Sequence, residues 1–257
     1  MDPTTENIIE SLLRWIHVIA GVLWIGLLYF FNWVNGPTMA KLDADTKKKV
    51  VPELMPRALY WFRWGAAFTW VTGLLILLLL YYHLKVALQN PADDHFGVMG
   101  LLMLVLVLVS PFIYDALAKG PLKDPQTAFY GGIVLAAVLL LVFRYLGGFS
   151  YRGYTIHLGA TFGTIMAFNV WFRIWPSQQQ IITNTKNGTP TDAEIVALAG
   201  LRSKHNTYMS VPLLFMMIGQ HAVGWAASSP IYSMVVVAVG FAIAYHVYDR
   251  AAKVQGF

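Results

Sequence analysis

Long runs of apolar residues recur along the whole chain, and they constrain its fold more than any other feature. A helix needs about 20 apolar residues to cross the hydrocarbon core of a bilayer. The runs that reach or approach this length are Ile8–Val34, Ala58–Tyr82, Phe96–Ala118, Thr127–Leu146, Tyr154–Trp175, Tyr208–Ala227 and Ile231–Tyr248. We therefore predict an all-α, polytopic bundle of seven transmembrane helices that forms one domain over residues 1–257.

The composition supports this class and excludes several others. Charged residues make up only 12% of the chain, whereas a soluble globular domain has about a quarter. The runs are too long and continuous for a closed barrel of short alternating strands. The chain has no cysteine, so disulfides, thiolate catalysis and c-type haem attachment are excluded within it. We expect the lipid bilayer, and no nucleic acid, as its surroundings.

The basic residues predict the orientation of the bundle. Most lysines and arginines fall in one set of connectors, and the other set holds only Arg14, Lys85, Arg144 and Arg152. The positive-inside rule places the rich set in the cytoplasm. The amino terminus is then outside and the carboxyl terminus cytoplasmic, in a bacterial inner membrane. Acidic residues precede the first run, so we do not interpret it as a cleaved signal peptide.

Two smaller patterns concern the organisation of the chain. Thr191–Glu194 has the spacing of a helix capping box and predicts a short helix, either an amphipathic one at the inner membrane surface or, as the favoured interpretation, an ordinary connector. The residues after Tyr114 resemble those after Tyr248. This similarity either marks a parallel repeat of residues 1–150 and 151–257 or arises by chance.

Histidines inside the apolar runs are the main functional clue, because ionisable residues are costly in a bilayer. His17, His157 and His221 are each expected roughly 6–14 Å below the outer end of a helix. With no cysteine and no carboxylate at that depth, haem b fits three such histidines better than a bare ion. Interhelical hydrogen bonding is the alternative interpretation.

Three further residues complete the haem hypothesis. His246 lies near the inner end of the last span and would ligate a second haem iron or contact substrate. Trp24 shares one helical face with His17 and would form a wall of the outer haem site. Arg14 would neutralise a propionate, although snorkelling to lipid phosphate is the favoured interpretation of any single arginine at this depth.

A second polar set lies toward the cytoplasm and suggests a substrate site. Its members are Arg63, Asn169, His205 and Asn206. Arg63 is flanked by Trp61 and Trp64, which could hold it by a cation–π contact. Together the four side chains could bind a planar, hydrogen-bonding anion, with Arg63 and His205 as the catalytic candidates.

Several segments are similar to the integral-membrane bacterial urate oxidases. They are Arg14–Gly21 with Trp24–Gly26, Leu59–Trp64 with Thr69–Trp70, Ile156–Ala160 leading to Asn169, and Arg202–Tyr208 leading to His221. The resemblance implies oxidation of urate and electron transfer to cytochrome c. Typical members have eight spans and a carboxy-terminal cytochrome c domain, which we do not find here. Gly65 stands where the family motif has a glutamate.

The sequence thus leaves two main functions open. The first is a haem b oxidoreductase that passes electrons from cytoplasmic urate, or a related purine, to a periplasmic cytochrome c or another membrane redox subunit. The second is a non-catalytic haem b carrier or accessory subunit of a larger respiratory or oxidase complex, which the loss of the carboxylate at Gly65 favours. A transporter is a weaker third alternative, because no span has a mid-helix break.

Overall fold

The computed structural model describes residues 2–90, 95–221 and 224–254, except for the side chain of His221, and all regular structure within them is helical. The all-α prediction is therefore confirmed. The main helices are α1 (Pro3–Lys41), α2 (Ala44–His83), α3 (Val98–Lys119), α4 (Pro125–Leu146), α5 (Tyr151–Asn169, continued by Val170–Ile174 and Trp175–Asn187), α6 (Ala193–Ile218) and α7 (Pro230–Lys253). Short 3₁₀ turns occur at Pro121–Lys123, Gly219–His221 and Ala226–Ser228.

Side-chain caps define where several helices begin. Asp124 accepts a hydrogen bond from the backbone nitrogen of Thr127 at 2.8 Å and starts α4. Asp192 accepts one from the nitrogen of Glu194 at 2.8 Å and starts α6. The cap expected near residue 191 is present, but the helix continues to Ile218. The expected short helix and the expected sixth span are thus parts of one helix, because no break separates them.

The helices α5 and α6 form the centre of the bundle. Most residues of Tyr151–Asn169 are buried, including polar ones such as Thr155, His157 and Asn169. The surrounding helices each turn large apolar side chains outward, for example Val22 and Val98. A central helix is enclosed by protein on every side, so its polar groups can find partners there.

Five of the described helices are long and apolar enough to cross a membrane: α1, α2, α3, α4 and α7. This is compatible with a membrane protein. The central helices α5 and α6 do not reach the same hydropathy, because they carry the buried histidine, asparagine and threonine side chains. The count of seven spans, their orientation and the internal repeat stay predictions.

Glycine allows α1 and α2 to pack closely. A Cβ atom on Gly65 would lie 3.3 Å from the carbonyl oxygen of Ala20 and 3.3 Å from Cβ of Trp24. The position at which the resemblance implies a glutamate is therefore a buried contact between two helices. Trp24 is only 2% exposed in this contact, and its indole nitrogen has no hydrogen-bond partner among the described residues.

Candidate functional site

A buried pair of side chains joins the carboxyl-terminal part of α3 to the middle of α6. The hydroxyl of Tyr114 lies 2.8 Å from Nδ1 of His205. Both residues are buried, and Nε2 of His205 makes no hydrogen bond to a described residue. The imidazole is thus oriented through one nitrogen, and the other is available to a ligand.

The Tyr114–His205 pair forms part of the wall of a cavity of about 680 Å³. Its other walls come from α4, α5 and α7, and aromatic rings are prominent among them. The rings of Phe129 and Tyr208 lie 5.7 Å apart, and that of Phe241 is 5.9 Å from Phe129. The volume is within the range of small-molecule sites, about 300–1,000 Å³.

A charged cluster lies directly behind Tyr114. Asp115 accepts hydrogen bonds from Arg173 at 2.6 and 2.8 Å and from Arg202 at 2.7 Å, and Lys119 is 2.8 Å from its second oxygen. We call Asp115, Lys119, Arg173 and Arg202 the Asp115 cluster. Three cations surround one carboxylate, so the cluster has a net positive charge.

Arg202 is the most unusual member of the Asp115 cluster. It is fully buried, and its guanidinium lies 5.0 Å above the ring of Tyr114. Its Nε and Nη1 have no hydrogen-bond partner among the described residues. A buried cation with unpaired donors is expensive unless a compensating charge is near. This arrangement keeps a positive potential beside the cavity wall.

The sequence reasoning missed the Asp115 cluster. Asp115 was noticed only as part of the repeat, and Arg202 only as part of the family resemblance. A usable signal was present, since Asp115 is a carboxylate inside the third apolar run and an ionisable residue in a span is a site candidate. Its partners lie 58 and 87 positions away in the chain, so the pairing itself could not be read from spacing.

The two predicted substrate-binding asparagines meet in the core between α5 and α6. The amide nitrogen of Asn169 donates to the amide oxygen of Asn206 at 2.8 Å, and Asn206 donates to the carbonyl oxygen of Met166 at 3.0 Å. Both residues are fully buried. Asn206 is therefore engaged by protein, and it positions the neighbouring His205.

Arg63 contacts a different set of side chains. Its guanidinium carbon is 3.9 Å from the ring centre of Trp175 and 5.8 Å from that of Trp171. The expected cation–π contact is present, but its partners are these two rings of α5 and Tyr60, at 5.7 Å, rather than the adjacent Trp61 and Trp64. Neighbours in a helix point in different directions, so Arg63 cannot face both.

His17 is fixed between α1 and α2. Its Nδ1 lies 2.9 Å from the carbonyl oxygen of Thr69 and 3.2 Å from the hydroxyl of Thr72. The ring packs over Gly73, where a Cβ atom would come within 2.9 Å of Cε1. Nδ1 therefore donates to a carbonyl, as in many metal-ligating histidines, and Nε2 makes no hydrogen bond to a described residue.

His157 is surrounded by protein on all sides. Its Nδ1 lies 2.7 Å from the carbonyl oxygen of Gly153, and its Nε2 lies 2.8 Å from the hydroxyl of Tyr82. The rings of Phe149 and Phe143 lie 4.3 and 5.4 Å from the imidazole. Both nitrogens are engaged, so His157 has the contacts of a structural core histidine, and its role as a haem ligand stays a prediction.

The structure does not bring the predicted haem ligands together. Thr72 and Tyr82, which contact His17 and His157, are separated by roughly 15 Å along α2 at 1.5 Å per residue. His246 is exposed on α7, and the side chain of His221 lies outside the described residues. Arg14 pairs with Glu10 at 2.7 Å on α1. Within the described ranges, no three histidine or acidic side chains form a metal-binding group.

Comparison with known families decides the affiliation. The sequence model of the family described as urate oxidase N-terminal matches residues 42–255. The chain belongs to this urate oxidase N-terminal family. No curated protein and no solved structure matches it significantly.

The family match covers α2 to α7, and thus the Asp115 cluster, the Tyr114–His205 pair and the cavity. It begins after α1, so His17, Arg14 and Trp24 lie before the matched range. The urate-oxidase-related affiliation inferred from the sequence is confirmed. The whole cavity lies within the matched range, and the Tyr114–His205 pair in its wall is the best candidate site in the described structure.

Proposed function

We propose that this chain is a membrane-embedded oxidoreductase that oxidises urate or a closely related purine. The observation that carries the proposal is the Tyr114–His205 pair in the wall of a 680 Å³ cavity, within the range of the urate oxidase N-terminal match. Urate is a planar anion at neutral pH. It suits a cavity with aromatic walls and a net positive cluster behind one side.

The residues of the site have separate roles in this proposal. His205 accepts a proton from the purine as it is oxidised, because its Nε2 has no hydrogen-bond partner among the described residues. Tyr114 fixes the orientation of the imidazole through Nδ1. The Asp115 cluster supplies the positive potential that favours an anion. Asn169 and Asn206 hold α5 and α6 together beside His205, while a direct role for Arg63 in substrate binding stays a prediction.

The membrane topology and the electron acceptor are part of the same proposal. The chain crosses a bacterial inner membrane seven times, with its amino terminus outside and its carboxyl terminus in the cytoplasm. The basic ends of α3 and α6 then lie on the cytoplasmic side, where urate is formed. A periplasmic cytochrome c or another membrane redox subunit is the acceptor that the family resemblance implies. Five apolar helices support a bilayer location.

Replacing Tyr114 by Phe tests the assignment of the site. The change removes the hydroxyl that holds His205, a hydrogen bond that contributes about 1–1.5 kcal/mol. We expect kcat/KM for urate to fall about tenfold, taking 1.4 kcal/mol per tenfold change. Initial rates with ferricyanide as a soluble electron acceptor measure the effect. Tyr145→Phe is the matched control, since that tyrosine is exposed at the far end of α4.

Two results would count against the proposal in different ways. If Tyr114→Phe keeps the wild-type kcat/KM, urate reacts elsewhere in the protein. If the wild-type protein oxidises urate with neither ferricyanide nor cytochrome c, the catalytic function is absent. The non-catalytic carrier or accessory subunit would then replace it.

A haem b carrier is the second candidate function, and the geometry of His17 favours it. Its Nδ1 is fixed by the carbonyl of Thr69, which leaves Nε2 for a metal. One or two haems stay a prediction, because the remaining histidines do not converge on His17. We derive no catalytic step through haem.

A visible spectrum of the purified protein tests haem binding. If haem b is bound at His17, the wild-type protein shows a Soret band and a pyridine haemochrome, and His17→Ala loses most of the bound haem. His83→Ala is the control, because His83 is largely exposed, with 58% of its side chain accessible. Absence of a haemochrome from the wild-type protein would eliminate haem from both candidate functions.

A further inference from the structure

The cavity is a slot rather than a sphere. On α4 its lining runs from Pro125 to Leu139, which is roughly 20 Å at 1.5 Å per residue. Gln126, Lys204, His205 and Tyr114 gather toward one end. Ser110 and Thr161 also line the slot, but their hydroxyls donate to backbone carbonyls of their own helices. Leu106, Leu135, Leu139 and Phe162 line the remainder. The slot therefore has a polar end and a long apolar section.

The helix α4 forms a thin outer wall of this slot. Within Pro125–Leu141 only Ala136 and Leu140 are buried, while Val134 and Leu141 on the outer face are 60% and 41% exposed. The apolar section is thus separated from the predicted lipid phase by a single helix. A lipid-soluble molecule has a short route into the slot from the bilayer.

Urate bound beside His205 does not fill the whole slot. It is small and polar, and its hydrogen-bonding groups would find no partner against the leucine and phenylalanine walls of the apolar section. A site of this volume takes a drug-sized ligand. The apolar section is therefore suited to a second, lipophilic ligand that binds beside the purine.

We infer that the slot binds a lipid-soluble quinone, which accepts the electrons of the proposed reaction. The quinone ring lies near the Tyr114–His205 pair among Phe129, Tyr208 and Phe241, and its apolar tail follows α4 toward Leu139. Offset stacking on these rings favours a planar head group. A carbonyl oxygen of the quinone accepts a hydrogen bond from the hydroxyl of Tyr114, whose oxygen accepts from Nδ1 of His205. Nε2 of His205 stays available to the purine.

This inference rests on the proposed function. The quinone takes up the two electrons and two protons that the oxidation of urate releases. The hydroxyl of a water molecule forms a C–O bond with a ring carbon of urate, while the remaining water proton and one purine N–H proton are released. Urate thereby loses two electrons. The quinone takes up both electrons and two protons, and its carbonyl groups become the hydroxyls of a quinol. A protein acceptor would be reduced downstream of the quinol.

The test is the substitution Ala136→Phe, which fills the apolar section of the slot and leaves the residues of the polar end unchanged. Ala136 lines the slot and is 1% exposed, whereas Val134 lies on the outer face of the same helix. The full-length protein in phosphatidylcholine nanodiscs is titrated with decylubiquinone while tryptophan fluorescence is followed. We expect Ala136→Phe to weaken quinone binding at least tenfold and to lose quinone-dependent urate oxidation. Urate oxidation with ferricyanide should continue, and Val134→Phe should match wild type throughout.

A second measurement covers the case in which Ala136→Phe does not fold. An azido-quinone is photolysed with the wild-type protein, and its adducts are mapped by mass spectrometry. Adducts confined to the slot walls, such as Phe129 and Phe241, are expected. Adducts scattered over the outer helix surfaces, or a copurified phospholipid that quinone does not displace, would overturn the quinone assignment.

The binding and activity measurements distinguish a failure of the quinone site from a failure of the proposed urate oxidation. Urate oxidation with ferricyanide but no quinone binding would overturn the quinone site alone. Quinone binding in the slot without urate oxidation by any acceptor would overturn the proposed urate oxidation and leave the quinone site standing.

Discussion

Asp115→Asn is expected to destabilise the folded protein by about 3–5 kcal/mol, the usual effect of removing one partner of a buried ion pair. The substitution keeps the size of the side chain but leaves fully buried Arg202 with no carboxylate at 2.7 Å. It also releases Arg173 and Lys119 from the same group. Thermal unfolding in detergent, followed by circular dichroism, measures the loss.

The control for this prediction is Asp249→Asn. Asp249 pairs with Lys253 at 2.7 Å on the surface of α7, where 48% of the aspartate side chain is exposed. Exposed pairs contribute little to stability, so no measurable change in melting temperature is expected. Adding Arg202→Met to Asp115→Asn should recover part of the stability, since no unpaired buried charge then remains at that position. Equal melting temperatures for Asp115→Asn and Asp249→Asn would contradict the importance of the cluster.

Gly65→Leu is expected to destabilise the packing of α1 against α2 by about 1–3 kcal/mol, because an overpacked contact must shift its neighbours. Even a Cβ atom at this position lies 3.3 Å from two backbone atoms, the oxygen of Ala20 and the nitrogen of Trp24, and backbone cannot move aside as a flexible side chain can. Unfolding in detergent reports the change, and limited proteolysis of the released α1 provides an independent readout.

The matched control is Gly26→Leu on α1. A Cβ atom at Gly26 would meet nothing within 4 Å, so the larger side chain points outward and should leave the stability unchanged or slightly higher. If both variants unfold alike, the α1–α2 contact is looser than described. The result also bears on the departure from the family motif, since at Gly65 this chain has close helix packing in place of a carboxylate.

Apolar patterning located the helices well but located their ends less well. Each of the seven apolar runs overlaps a helix of the structure, because burial and lipid exposure both demand continuous apolar surface. The largest error in helix ends concerns the run Tyr208–Ala227, because the helix there begins at Ala193 and ends at Ile218. Hydropathy underestimates a central helix, since such a helix can carry Arg202, His205 and Asn206 inside the bundle.

The sequence alone was sufficient to predict the helical class, the long apolar helices and the family affiliation. It also showed which types of polar residue lie inside those helices. Only the tertiary structure decided which of these residues meet. Tyr114 and His205 are 91 positions apart in the chain, and the contact depends on how α3 and α6 are rotated about their axes. A periodic pattern shows which residues share a face of one helix, but it does not show which neighbouring helix that face meets. For the same reason, the similar depths expected for His17 and His157 did not place them together, whereas Asp115 and Arg202 meet in the core.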